Sequence, residues 1–103
     1  PPDNGGRGRT FSPTDLAAAS VASCVLSIMA KLAAREGIKF EGASIEIEKH
    51  MQEGPRRIAA LTGTVKLPAG ITALQREKLA ACIKACPVSR SLHPDIKLEL
   101  AVR

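Results

Sequence analysis

Residues 12–37 read SPTDLAAASVASCVLSIMAKLAAREG, and the punctuation of this stretch predicts one long helix. Ser12 offers a side-chain oxygen to the free N–H groups of a first turn. Pro13 suits the position after it, and Asp15, three residues past the cap, can reach back as the acidic partner of a capping box. The helix is expected to run to about Glu36 and to stop at Gly37. From Leu16 to Ala30 it carries no charge over 15 residues. A membrane span needs about 20 strongly apolar residues, whereas this run is rich in Ala and interrupted by Ser20, Ser23 and Ser27. The expectation is therefore a core helix that must be covered on all faces, with Cys24 in its middle.

Beyond Gly37 the periodicity changes to two. Ile45 and Ile47 alternate with Ser44, Glu46 and Glu48, which predicts a strand with one wet face. Gln52–Arg56, with Gly54 and Pro55, is a hairpin loop, and Leu61, Val65 and Leu67 alternate with Thr62, Thr64 and Lys66 in a second strand. Thr72 and Gln75 form another capping box, opening a helix with Leu79, Cys82, Ile83 and Cys86 on one face, and Pro87 ends it. Ser89–Pro94 connect to a last strand in which Ile96, Leu98, Leu100 and Val102 alternate with Lys97, Glu99, Ala101 and Arg103. The order is helix, strand, strand, helix, strand. Three strands cannot cover a long helix that is apolar all round, so a second subunit is the simplest supplier of the missing cover. Upstream, residues 1–11 (PPDNGGRGRTF) have loop composition.

The whole chain, 103 residues, is one domain with no room for a separate cofactor domain. With two Phe and neither Trp nor Tyr, its core must be built from Leu, Ile, Val and Ala. A net charge of +5 raises nucleic-acid or membrane binding, but Lys and Arg are scattered and no basic stripe carries interleaved aromatics. Neither partner is expected. Three Cys without a secretory signal do not make a disulfide scaffold, which fits a reducing cytoplasm. The sequence starts at Pro1 with no leader pattern and is read as a trimmed or partial chain.

The run NGGRG lacks the preceding strand and the Lys-Ser/Thr tail of a phosphate-binding loop. His50 and His93, on a strand and in a loop, read as structural, and no Ser-His-Asp arrangement has support. The cysteines carry the information. Each reads first as a small apolar core residue, Cys82 most of all, one turn before Cys86 on the same helical face. Cys82, Cys86 and His93 as zinc ligands are disfavoured, because an i, i+4 Cys pair followed by Pro lacks the knuckle spacing and a fourth ligand is missing.

FSPTDLAAASVASC, continued by VLSIMAKLAAREGIKFEGASIEIEKHM, then PRRIAALTGTVKLPAGI and CPVSRSLHPDIKLEL, resembles the OsmC/Ohr family of bacterial organic-peroxide reductases from about residue 5 to the end. Two motifs in order carry the resemblance: a Cys in a Ser-Pro-started, Ala-rich helix, and a Cys-Pro-Val turn about sixty residues later. It implies an α+β, OsmC-like fold, with the long central helix packed on an antiparallel sheet and two subunits intertwined as a homodimer. It also implies residue roles. Cys24 matches the family's peroxidatic cysteine, whose thiolate becomes a sulfenic acid on attacking an organic hydroperoxide; Cys86 matches the resolving cysteine that closes the disulfide. A thiol or dithiol reductant resets the pair, and no metal, flavin or haem is needed. The scheme asks for a positive neighbour that lowers the attacking thiol's pKa.

Family members place a Glu near the start of the helix that orients an Arg from N-terminal strands; here Thr14 and Asp15 stand there, and those strands are missing from the reading. Asp15 either substitutes for that Glu or only caps the helix, and Arg7 and Arg9 are cation donors on reach alone. The rival reading is a non-enzymatic stress module holding an apolar or acyl ligand in a pocket around Cys24.

Overall fold

A computed structural model describes residues 12–103. The loop expected over residues 1–11, with Arg7 and Arg9, lies outside the described residues. Within them the order is α1 (Pro13–Glu36), β1 (Ser44–Gln52), β2 (Arg57–Lys66), α2 (Ala73–Ala85), a short α3 (Pro87–Arg90) and β3 (Lys97–Val102). This is the expected α+β order with one addition, α3.

Ser12, Pro13 and Gly37 start and stop α1 as read. Ser12 Oγ accepts the Asp15 N–H at 3.1 Å, and Gly37 closes the helix at φ 70°, a left-handed conformation open to glycine, with its N–H on the Ala33 carbonyl. Ala18, Val21, Val25, Met29 and Ala33 recur every three or four residues and so form one buried face. They join Leu61 and Val65 of β2 and Leu79 of α2 in the core. By length and composition alone α1 does suffice to cross a membrane, so the argument from its uncharged run falls short. Packing is the better criterion, and a helix with this buried face is built into a protein core. The opposite face, Leu16, Ser20, Ser23, Ser27, Ala30 and Ala34, is exposed in the single chain, so the expected cover on all faces is absent there.

β1 and β2 form the predicted antiparallel hairpin, from Ser44 opposite Lys66 to Gln52 opposite Arg57, with an irregularity at His50/Met51. β3 corrects the antiparallel expectation. It pairs parallel to β2, from Ala60 beside Lys97 to Val65 beside Val102, and the ladder continues through Arg103 N–H to the Val65 carbonyl at 2.8 Å. The sheet is therefore mixed, in the order β1-β2-β3. The reason is α2: a helix between neighbouring strands carries the chain back along the sheet, so the next strand starts at the same end as the last.

α2 opens with both halves of the expected capping box, the Gln75 N–H on Thr72 Oγ1 at 3.1 Å and the Thr72 N–H on Gln75 Oε1 at 3.0 Å. It ends because Cys86 precedes a proline, whose ring disfavours the helical backbone one residue earlier. Cys86 accordingly sits at φ −65°, ψ 120°. Pro87 then begins α3, where its fixed φ and missing N–H suit a first helical position.

Candidate active site

Two thiols meet where α1 passes the α2–α3 junction. Cys24, on the flank between the buried and exposed faces of α1, is half-buried, and its side chain neighbours that of Cys86, which is 0% exposed. The Cys-Pro-Val turn explains the second half of the pair. Because Cys86 caps α3, its sulfur takes the place of the usual capping oxygen and accepts the Ser89 N–H at 3.5 Å. The Val88 backbone bears on both sulfurs, and the Ser89 hydroxyl, buried with no hydrogen-bond partner, bears on Cys86.

These contacts divide the pair electrostatically. The neighbouring Cys86 thiol foremost, with burial behind it, pushes the Cys24 thiol above its ordinary range, against the Val88 backbone and the Lys31 charge two turns along α1. Burial pushes the Cys86 thiol up as well. The nearby Cys24 thiol, the Ser89 side chain and N–H, and the Val88 backbone outweigh that burial and leave Cys86 below its ordinary range. The two thiols are thus pushed in opposite directions, Cys24 up and Cys86 down.

The remaining candidates lie apart from the pair. Asp15 is nine residues before Cys24, roughly 13 Å along the helix axis. Its carboxylate takes Lys49 Nζ at 2.9 Å, and the same ammonium reaches Thr14 Oγ1 at 2.6 Å and Ser12 Oγ at 3.2 Å. Lys49, which sequence reasoning did not single out, therefore ties β1 to the start of α1. Cys82 is buried, which raises its pKa, and its S–H faces the Lys78 carbonyl at 3.6 Å. His50 Nε2 pairs across the hairpin with Thr62 Oγ1 at 2.8 Å, while His93 Nδ1 accepts the Asp95 N–H at 3.0 Å. A cavity of about 420 Å³ opens between α2, α3 and β3, lined by Ala80, Ile83, Leu98 and Leu100 with Lys84 and Arg90 at its edge; Ser89 borders it, and Cys24 does not.

The comparisons match this architecture. The family model described as OsmC-like protein covers residues 5–101. A protein from Psychrobacter arcticus 273-4, named for osmotic stress induction and detoxification response, is 34% identical over 100% of this chain and 75% of its own, with a TM-score of 0.94. An organic hydroperoxide resistance protein OsmC from Legionella pneumophila (24% identity, 99% of this chain and 76% of its own, TM-score 0.78) shares the fold. So does the organic hydroperoxide resistance protein OhrB of Bacillus subtilis (20% identity, 93% and 73%, TM-score 0.75). No curated protein matches. With the family model spanning nearly the whole sequence and a one-third-identical structure superposing on all of it, this chain belongs to the OsmC-like protein family.

Proposed function

We propose that the chain is a thiol-dependent peroxidase that reduces organic hydroperoxides. One observation carries the reading: a half-exposed thiol on α1 and a fully buried thiol at the α2–α3 junction, about sixty residues apart in sequence, are neighbours that act on each other's charge. An oxidant arriving from solvent meets Cys24 first. The Cys24 sulfur attacks the O–O bond and becomes a sulfenic acid while the substrate leaves as an alcohol; the neighbouring Cys86 then displaces the oxygen and closes a disulfide. A thiol or dithiol reductant returns both sulfurs to their starting state. Two relatives named as organic hydroperoxide resistance proteins support the substrate class at the level of fold. A homodimer belongs to the same reading, supported by the uncharged, exposed stripe of α1.

Reduced protein mixed with cumene hydroperoxide is expected to consume it and to yield a peptide pair joined through Cys24 and Cys86 in mass spectra. Cys24→Ser abolishes consumption and Cys82→Ser leaves it intact. Equal consumption by all three single-cysteine variants would reject the assignment. A ligand module that only holds an apolar molecule would instead leave the peroxide untouched.

A further inference from the structure

We propose that the cavity between α2, α3 and β3 is a binding site for an aliphatic carboxylate, separate from the thiol pair. Its volume of about 420 Å³ falls in the range of roughly 300–1,000 Å³ usual for small-molecule pockets. Two aliphatic stripes make its walls. Ala80, Ile83 and Lys84, spaced three and four apart, share one face of α2, and Leu98 and Leu100, two apart, share one face of β3. The stripes face each other without closing, so Ile83, Leu98 and Leu100 each stay half-buried. Such walls suit an alkyl chain, which gains by leaving water and needs no ring to stack on.

Charge selects the head group. Lys84, in the last turn of α2, and Arg90, the last residue of α3, stand exposed at the mouth of the cavity. Among the described residues neither has a carboxylate within 4.0 Å, whereas Lys49, Arg57 and Lys78 each do. The cavity lining contains no acidic residue. A guanidinium offers paired N–H groups that fit a carboxylate, and an ammonium beside it adds a point charge. A neutral ligand would leave both cations unmatched, and a cationic one would be repelled. Neither Cys24 nor Cys86 lines the space. Ser89 does, and its N–H meets Cys86 Sγ at 3.5 Å, so a ligand here touches the turn that seats Cys86 without reaching a sulfur. The site does not depend on the peroxidase reading, and inert thiols would leave it as it is.

The reduced full chain is titrated calorimetrically with decanoate, decanol and decyltrimethylammonium, which share one alkyl chain and differ in charge. Decanoate is expected to bind more tightly than either of the others. Lys84→Glu combined with Arg90→Glu alters exposed residues alone. It is expected to weaken decanoate by about tenfold, a moderate loss because water and salt screen charges at a rim, and to admit decyltrimethylammonium instead. Ile83→Trp, which fills the cavity, is expected to remove decanoate binding at unchanged helix content; if that variant does not fold, the charge reversal carries the test. Cys24→Ser is expected to bind decanoate as wild type does. Decanol binding as tightly as decanoate, or decanoate binding indifferent to the charge reversal, overturns the proposal. Binding lost in Cys24→Ser overturns it too, by moving the ligand to the thiols. So does a wild-type dimer that the charge reversal splits, which would give the cavity to a second copy of the chain.

Discussion

Lys49 reaches from β1 to the first turn of α1, where Asp15, Thr14 and Ser12 receive it. Its hydrogen bond to Asp15 is the leading reason that carboxyl lies below its ordinary value of 3.8, with Ser12 contributing. Because the folded pKa is depressed, the contribution to stability is present above the unfolded value and is lost as pH falls through the folded one. Asp15→Asn is therefore expected to lower the urea midpoint at neutral pH. The gap from wild type should close as pH falls below 3.8, and a gap that persists unchanged in acid would show that the carboxylate charge is not what matters. Of the two readings open for Asp15, the observed contacts are those of the helix start, and the structure does not bring the carboxylate to the thiols. Cys24 and Cys86 were legible as residues of interest from their motifs. The direction of their pKa values was not, because it comes from the nearness of the two thiols to each other and from burial, with Ser89 and the Val88 backbone behind them.

At the scale of elements, caps and periodicity located α1, the hairpin, α2 and β3, since each of those signals acts within a few residues. Two features escaped. α3 was read as part of a connection, although Pro87 after a pre-proline Cys86 is a start signal as much as a stop. β3 was assigned to an antiparallel sheet, although a helix between neighbouring strands in the chain favours a parallel pair. Gly63 in β2 is a further element-scale constraint that alternation alone did not reveal. A Cβ there would run into the Glu46 carbonyl oxygen of β1 and come within 3.0 Å of Ile47 Cα, and backbone cannot yield as a flexible side chain does. Gly63→Ala is expected to cost about 2 kcal/mol in urea unfolding, the middle of the range for overpacking. A cost below about 0.5 kcal/mol, the scatter of neutral surface changes, would mean that the two strands separate there without strain.

The molecule is a slab of 46 × 29 × 19 Å with a radius of gyration of 15.2 Å, against about 13 Å for a compact domain of 100 residues. Its helices lie over one mixed sheet, the inward residues of the edge strands, such as Ile45, Ile47, Leu98 and Leu100, are only half-buried, and the outer stripe of α1 is uncharged and exposed. Those surfaces suit the proposed second copy. Sedimentation is expected to give a dimer, and Ser23→Glu with Ser27→Glu, two charges on that stripe, a monomer of unchanged helix content. A monomeric wild type, or a dimer that tolerates both charges, would remove the stripe from the interface. From the sequence by itself came the elements apart from α3, their approximate limits and the two motifs of the family, because caps, proline geometry and periodicity are local. Tertiary structure alone decided that β3 runs parallel, that Lys49 closes onto Asp15, and that two thiols about sixty residues apart are neighbours. Each of these depends on how separate elements pack in space, which short-range sequence patterns do not encode.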